Sequence, residues 1–165
     1  MKITQDMLNY WKKIIPAYQF THYTLDNSLE RTLYHSTIQF IGQSAFWLCN
    51  NLENVELPSA TRIEKQAFYE CRSLTSINLP AATTIGQYVF GQCTNLATVT
   101  LGSNLSSIAT DTFLNCNSLT TINVMGDENC TTAQTLATLT PAQYHNATIV
   151  YNYTPPSEND SNDGE

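Results

Sequence analysis

One phrase of the chain recurs four times and constrains the fold more than any other feature. It begins with an isoleucine, at Ile41, Ile63, Ile85 and Ile108, so that the spacings are 22, 22 and 23 residues. A phenylalanine, a cysteine and a leucine follow at fixed offsets, at Phe46, Phe68, Phe90 and Phe113, then Cys49, Cys71, Cys93 and Cys116, then Leu52, Leu74, Leu96 and Leu119. A repeat of this length predicts a solenoid, because one coil can bury its apolar side only against its neighbours.

Each repeat then continues into a segment with the alternation of a β-strand. In Leu74–Leu79 the two leucines and the isoleucine are predicted to point inward and the polar residues between them outward. The segment Leu52–Ala60 fits the leucine-rich-repeat template, in which apolar residues follow at the third and fifth places after a leucine. Successive strands are therefore expected to stack in parallel at about 4.8 Å.

The stretch from Ile63 to Pro80 resembles the consensus of the BspA-like, or treponemal-type, leucine-rich-repeat family. The resemblance covers roughly Ile41 to Val124, and the segment Leu29–Ile38 is similar to the lead-in of such repeats in prophage and surface proteins of gut bacteria. This family implies a right-handed α/β solenoid, mostly β, with adhesion or protein binding and without catalysis. We expect about five coils, with a short helical or 3-10 corner at Ala67 and Phe68. The alternative fold is a parallel β-helix, which would have a sheet on every side and no helical corner at Ala67 and Phe68.

Four parts are predicted along the chain. Apolar residues at helical spacing predict an N-terminal capping helix and lead-in over 1–23, which would cover the first coil. The leucine-rich-repeat solenoid follows over 24–127, and a C-terminal cap over 128–154, with a short helix from Thr131 to Leu139 and a strand from Ala147 to Tyr153. The remaining 155–165 are polar and acidic, and predict a disordered tail.

Composition narrows the range of partners. Charged residues make up 13% of the chain, and its seven lysines and arginines form no basic stripe, which argues against nucleic-acid binding. No apolar run reaches the length of a membrane helix, and the polar N-terminus does not match a secretion signal. We therefore expect no membrane insertion, and a place in the cytoplasm, in a virion or, if the native N-terminus is missing, at the cell surface.

The cysteines are expected to be buried, reduced and free of metal. One cysteine per coil forms a column of side chains that point the same way, which suits neither a disulfide nor a zinc site built from close pairs. Cys130 lies outside this column and has no evident partner. His22, His35 and His145 are scattered, and no phosphate-binding glycine loop is present, so the sequence predicts no catalytic, cofactor-binding or metal site.

Two surfaces are candidates for binding. The outward strand positions form a flat, polar, nearly uncharged face, whose candidates are Asn54, Glu56, Ser76, Asn78, Thr98, Thr100, Thr121 and Asn123. This face also fits a purely structural role, because threonine ladders stabilise parallel sheets. The corner beside the repeated phenylalanine carries larger side chains that differ between coils, with Trp47, Tyr69 and Tyr88 as candidates.

These observations leave two functions open. The first is a non-catalytic binding or adhesion module that recognises a protein or a cell-surface glycan, as part of a phage tail fibre or a bacterial surface assembly. The alternative is a rigid structural spacer within a larger virion or surface assembly. An enzyme has no support in the sequence.

Overall fold

The computed structural model describes residues 32–34 and 36–155, and these form a solenoid with two parallel sheets. The larger sheet has six strands in the order β1, β3, β5, β7, β9 and β10. Their bounds are Thr32–Tyr34, Asn54–Glu56, Ser76–Leu79, Thr98–Leu101, Thr121–Val124 and Thr148–Val150. The smaller sheet has four strands, β2, β4, β6 and β8, at Phe40–Ile41, Arg62–Ile63, Thr84–Ile85 and Ser107–Ile108.

The strands alternate between the sheets along the chain, so that each turn of the solenoid contributes one strand to both. Four such pairs make about four turns, and β9 begins a fifth turn that has no strand in the smaller sheet. The solenoid and its leucine-rich-repeat type are confirmed, with slightly fewer complete turns than the five expected. Helix is scarce in the described residues, where the single α-helix is α1 (Thr131–Leu136).

The repeat places its apolar residues in one continuous core between the sheets. Val55, Ile77, Val99 and Ile122 are paired in register and are at most 1% exposed. The phenylalanines form one stack, with ring centroids 5.0 Å apart for Phe46 and Phe68, and 6.0 Å and 5.7 Å for the next two steps. Offset-stacked rings at these distances add to the free energy of burial. The predicted phenylalanine stack is confirmed.

The corner that contains Phe68 is neither α-helical nor 3-10, contrary to the helical or 3-10 corner expected there. It is a series of overlapping turns, in which Ala67 N–H donates to the Glu64 carbonyl and Tyr69 N–H to the Gln66 carbonyl. Gln66 and Glu70 have positive φ angles of 59°, which interrupt any helix. The amides of Gln66, Phe68 and Glu70 instead donate to carbonyls of the next coil. These backbone bonds join the coils on a third side of the solenoid, where the chain forms no strand.

The C-terminal segment covers the end of the last coil. Helix α1 packs beside β8, where Thr132 Oγ1 accepts from Leu105 N–H and Thr135 Oγ1 donates to the Leu105 carbonyl. A 3-10 helix at Pro141–Tyr144 leads to β10, which extends the larger sheet beyond β9. The helix and the strand thus lie within the segment for which a C-terminal cap was predicted. The four-part division of the chain stays a prediction, and the capping helix over 1–23 and the acidic tail from 156 onward lie outside the described residues.

Candidate functional site

The column of cysteines forms hydrogen bonds between coils. Cys71, Cys93 and Cys116 each donate from Sγ to the carbonyl of the phenylalanine in the preceding coil, at 3.0, 3.0 and 2.9 Å. Burial raises the pKa of the Cys71 thiol well above its ordinary value, and hydrogen bonds with the neighbouring cysteines raise this pKa further. Burial also raises the pKa of Cys116. All four cysteines of the column are buried and none forms a disulfide. The three that donate to phenylalanine carbonyls are therefore packed hydrogen-bond donors and not nucleophiles.

The fifth cysteine has a different structural role. Cys130 precedes α1, and its Sγ accepts from Ala133 N–H at 3.4 Å, in the position of an N-terminal cap. The sequence offered no partner for this residue, because a cysteine is not a usual capping residue. No group of three or more histidine, cysteine, aspartate or glutamate side chains in the described part of the chain could hold a metal ion. Within the same residues, no helix is long and apolar enough to cross a membrane.

Most polar side chains on the face of the larger sheet are bonded to one another or to the backbone. Ser76 Oγ donates to Asn54 Oδ1 at 2.7 Å, and Thr75 Oγ1 donates to the Glu53 carbonyl at 2.9 Å. Near the C-terminal end, Asn123 Nδ2 donates to Thr100 Oγ1 at 3.4 Å. The ladder predicted from sequence is therefore present, and much of its hydrogen-bonding capacity is used within the solenoid.

Exposure varies along this predicted strand face. Glu56 is exposed, whereas Thr100 and Asn123 are each only 7% exposed. The other five candidates are half-buried, at Asn54, Ser76, Asn78, Thr98 and Thr121. Among these eight candidates, the most accessible side chain is thus that of Glu56, toward the N-terminal end of the face.

The smaller sheet shows the same kind of bonding beside its strands. Hydroxyl groups of Thr61, Thr83 and Ser106 each donate to a backbone carbonyl of the preceding coil, at 3.1, 2.9 and 3.1 Å. The acceptors are the carbonyls of Gln39, Thr61 and Thr83, which also accept backbone N–H groups. Each of these carbonyls accepts two backbone amides of the next coil, so the hydroxyl is a third donor that adds to the bonding between adjacent coils.

The turn corner brings two of its three predicted residues together. The Trp47 and Tyr69 rings meet edge to face, with centroids 6.2 Å apart and an interplanar angle of 75°. The other side of Tyr69 lies over Gly91, where an added Cβ would be 2.8 Å from two ring carbons. Tyr88 occupies a different position in the coil, at a positive φ of 54°, and no ring contact joins it to the other two within the described residues.

Four exposed apolar residues were missed from the sequence. Leu48 and Leu114, at 48% and 45% exposure, lie on the corner with Trp47, which is 43% exposed. Tyr34 and Val150, at 55% and 39%, occupy the two ends of the column of the larger sheet that contains Glu56 and Asn123. Aligning the repeats column by column would have found Leu114, because it shares its place in the repeat with Trp47 and Tyr69. The other three depend on strand pairing or exposure, which the sequence alone does not give.

Comparison with known proteins gives one family and two solved structures. A family model described as a BspA type leucine rich repeat region matches residues 13–137, in six copies. A leucine-rich repeat protein of T. pallidum is 22% identical with a TM-score of 0.42, over 67% of this chain and 61% of that chain. A leucine-rich repeat protein from Bacteroides ovatus ATCC 8483 is 23% identical with a TM-score of 0.40, over 56% of this chain and 30% of that chain. The chain thus spans less than two thirds of either structure, and no curated protein sequence matches it.

Proposed function

Because the chain belongs to the BspA-type leucine-rich-repeat family, we propose that it is a non-catalytic adhesion module that recognises a protein or a cell-surface glycan. Family membership indicates a protein-interaction or structural module. The finer proposal adds a place in a phage tail fibre or a bacterial surface assembly, which the resemblance of the lead-in segment supports. The ligand contacts would be made by a rigid surface on the outside of the coils.

The observation that carries this proposal is the group of exposed apolar side chains on the turn corner. Trp47, Leu48 and Leu114 are each more than 40% exposed, and Trp47 is held against Tyr69. Tryptophan and tyrosine supply much of the binding energy at protein interfaces, because they bury a large area for little loss of rotamer entropy. We call this group the corner patch: Trp47, Leu48, Tyr69 and Leu114.

The backbone beneath the corner patch is well suited to hold it in place. Amides of Ser44, Phe46 and Leu48 donate to the next coil at 3.1, 2.7 and 3.0 Å, and the same pattern is repeated one coil further on. A preorganised surface loses little entropy when a ligand binds, which favours affinity. By contrast, many polar side chains of the strand face are already hydrogen-bonded within the solenoid and have less capacity to bond a ligand. We therefore rank the strand face second as a contact surface.

A paired set of variants tests this proposal. The double variant Trp47→Ser with Leu114→Ser removes two of the three most exposed apolar side chains of the corner patch, and Asn54→Arg with Thr98→Arg blocks the strand face as the matched control. Both proteins are checked for unchanged thermal unfolding and then assayed on whole bacterial cells and on a glycan array. We expect the corner variant to lose binding by tenfold or more, because hot-spot residues cost about 2 kcal/mol each when truncated. Loss of binding in the arginine variant alone would move the site to the strand face.

A rigid spacer is the second candidate, and the hydrogen bonds between coils favour it. Side-chain donors on three sides of the solenoid join neighbouring coils, as Thr83, Cys93 and Thr120 illustrate. Deleting one 22-residue coil, residues 63–84, should shorten such a spacer by about 4.8 Å. A spacer would lose function in this deletion and keep it in the corner variant, whereas an adhesion module would show the reverse.

A further inference from the structure

We propose that Asn129 is an acceptor for N-linked glycosylation, by transfer of an oligosaccharide from a lipid pyrophosphate carrier. This modification site goes beyond the proposed adhesion role and does not involve the corner patch. It is carried by a motif in the loop between β9 and α1, by the exposure of that loop and by the hydrogen bonds that hold it.

The acceptor motif is an asparagine followed two places later by serine or threonine, with any residue except proline between them. It occurs five times in the chain, and one copy, at Asn159, lies outside the described residues. In each of the other four copies the asparagine is exposed, at Asn104, Asn129, Asn146 and Asn152. Exposure alone therefore does not select one of them.

Hydrogen bonds to other coils hold three of these four segments in the solenoid. After Asn104, the buried Leu105 is bonded to α1 through its N–H and its carbonyl, and Ser106 Oγ donates to a carbonyl of the preceding coil. Thr148, in the motif of Asn146, donates its N–H to the coil before it. The N–H groups of Asn152 and of the residue after it donate to carbonyls at the end of β9. A transferase that draws one of these segments into its active site would have to separate it from the solenoid.

The segment around Asn129 is held by local bonds. Asn129 N–H donates to Asp127 Oδ1 at 2.9 Å, and Cys130 N–H donates to the Asp127 carbonyl at 3.2 Å. Gln134 Nε2 donates to the Asn129 carbonyl at 3.0 Å, and the half-buried Cys130 accepts from Ala133 N–H. Within the described part of the chain, no hydrogen bond joins 127–131 to another coil. This loop can therefore change its backbone conformation without parting two coils.

An exposed carboxylate distinguishes the motif of Asn129 further. Asp127 stands two places before the asparagine and is exposed, as is Thr131, which supplies the hydroxyl of the motif. The residues two places before the other four asparagines carry no charge, and they are Gly102, Tyr144, Val150 and Ser157. A basic side chain of a transferase can pair with the Asp127 carboxylate and hold the asparagine amide in place. The loop thus offers an enzyme a carboxylate, an amide and a hydroxyl group.

The reaction forms one bond and breaks one. The side-chain nitrogen of Asn129 bonds to C1 of the first sugar, and the bond from C1 to the pyrophosphate oxygen of the carrier breaks, with its electron pair staying on that oxygen. A base of the transferase takes one proton of the amide. The loop leads from β9 to α1, which packs beside β8, whereas the corner leads from β8 to β9, so the two lie on opposite sides of the coil. A glycan on Asn129 would therefore leave the corner patch accessible.

The test incubates the folded full chain with a purified bacterial oligosaccharyltransferase and its lipid-linked oligosaccharide. The choice of a bacterial enzyme rests on the proposed place at a bacterial surface, but the assay does not depend on any binding by the corner patch. Intact-mass spectrometry counts the glycans, and peptide mapping locates them. We expect one glycan for each chain, on Asn129, and none in Asn129→Gln.

Two further pairs of residues assign the recognition groups. Asp127→Asn keeps the oxygen that accepts from Asn129 N–H but removes the charge, so the rate of transfer should fall by about tenfold or more. Thr131→Ser should keep the reaction and Thr131→Ala should lose it, because only the first retains a hydroxyl group. Equal rates in Asp127→Asn and the parent protein would contradict the role of the carboxylate.

A matched control separates the motif from its place in the fold. In the Asn129→Gln background, Val150→Asp puts a carboxylate two places before Asn152, and Pro155→Ala removes a proline that restricts Thr154. After a check for unchanged thermal unfolding, this variant should accept no glycan, whereas a synthetic peptide of 148–156 with the same changes should accept one.

A synthetic peptide of 125–133 is the positive control for the enzyme. Modification of this peptide beside an unmodified folded chain would overturn the proposal, because the loop would then be closed to the transferase in the native protein. A glycan on another asparagine in place of Asn129, or equal modification of the Val150→Asp variant, would also overturn it.

Discussion

The larger sheet and the turn corner come from the same repeat, yet they join neighbouring coils in different ways. On the sheet side, extended strands bond to each other, and hydroxyl and amide side chains add bonds such as Ser76 to Asn54. On the corner, backbone amides reach the next coil from residues with positive φ such as Leu48 and Glu70, and buried cysteine thiols add bonds from inside the core. Both sides are thus bonded along the solenoid, the sheet side with help from exposed or half-buried polar side chains and the corner chiefly through backbone amides and buried thiols.

This difference explains which side chains are free to vary. Positions on the strand face that bond to a neighbouring coil are occupied mostly by threonine, serine and asparagine, because those groups are short and can donate and accept. At the corner, one column of the repeat holds the unlike residues Trp47, Tyr69, Gly91 and Leu114. Side chains that are not needed for bonds between coils can change without loss of the fold, so the corner is where specificity for a ligand is best placed.

The core beneath both sides gives the largest predicted effect. Phe68→Ala should lower the free energy of unfolding by about 3–5 kcal/mol, because Phe68 is fully buried and stacked on both faces. Chemical denaturation measures the change, and Gln87→Ala, at an exposed turn residue, is the control. A loss no greater than that of the control would refute the stack as the element common to both sides.

A glycine after β7 tests the rigidity of the sheet side. An added Cβ at Gly102 would lie 1.8 Å from the Pro80 carbonyl oxygen, which is backbone and cannot rotate away. Gly102→Ala should therefore force two coils apart and cost about 3 kcal/mol in the free energy of unfolding. Denaturation with urea measures the cost. If the variant were as stable as the parent protein, the close approach of these two coils would be wrong.

Alkaline pH tests the cysteine column that lies between the two sides. The pKa values of Cys71 and Cys116 are raised in the folded state, so their contribution to stability is complete below the unfolded thiol pKa of about 8.5 and is lost as pH rises above it. Above the unfolded thiol pKa, each of these thiols should lower the free energy of unfolding by about 1.4 kcal/mol for each pH unit, because the thiol ionises first in the unfolded chain. Urea unfolding at several pH values from 7.5 to 10 measures the slope.

The variant Cys71→Ala serves as the control for this pH dependence. It should be less stable at neutral pH, because a packed side chain is truncated, but its stability should fall less steeply with pH. An equal slope in the two proteins would mean that tyrosines or other groups produce the effect. Slow thiol labelling of the native protein, completed on denaturation, would support the same account.

The corner glycine should give the smallest change in stability and a clear change in spectroscopy. At Gly91 an added Cβ would lie 2.8 Å from two carbons of the Tyr69 ring, a side chain that can move, and 3.3 Å from the Tyr88 carbonyl oxygen. Gly91→Ala should therefore cost less than about 1 kcal/mol, in contrast to Gly102→Ala. The Trp47 fluorescence should change, because the edge-to-face contact with Tyr69 is disturbed. Measurement in a Trp11→Phe background isolates this signal, and an unchanged spectrum would contradict the packing of Tyr69 on Gly91.

Sequence periodicity was a reliable guide wherever burial decides the structure. The spacing of the repeat placed Phe46, Phe68, Phe90 and Phe113 in one stack and put successive strands in register, as the structure shows. It failed at the corner, where a helical or 3-10 turn was expected at Ala67 and Phe68. Residues such as Gln66 and Tyr88 rarely adopt positive φ. They adopt positive φ here because backbone hydrogen bonds at the corner join their coil to the next one, and those bonds form only when the coils stack.

The candidate site was predictable only in outline. The two surfaces could be named from the repeat, but the burial of Thr100 and Asn123 and the exposure of Tyr34 depend on neighbours in other coils. Likewise, the role of Cys130 as the N-terminal cap of α1 depends on a helix that stands, in the last turn, where earlier turns have a strand of the smaller sheet. A single sequence does not show which coil is the last to stack, so these assignments needed the folded chain.

The repeat, the side of each strand that faces the core, and the family can all be predicted from the sequence, because they follow from a pattern of apolar residues that is local in the chain. The tertiary structure decided the backbone of the corner and the pairing of the hydroxyl groups. It also decided which polar and aromatic side chains remain accessible, as with Glu56 beside Tyr34. Those features arise from hydrogen bonds and contacts between residues about 22 positions apart, which form only when one coil lies on another.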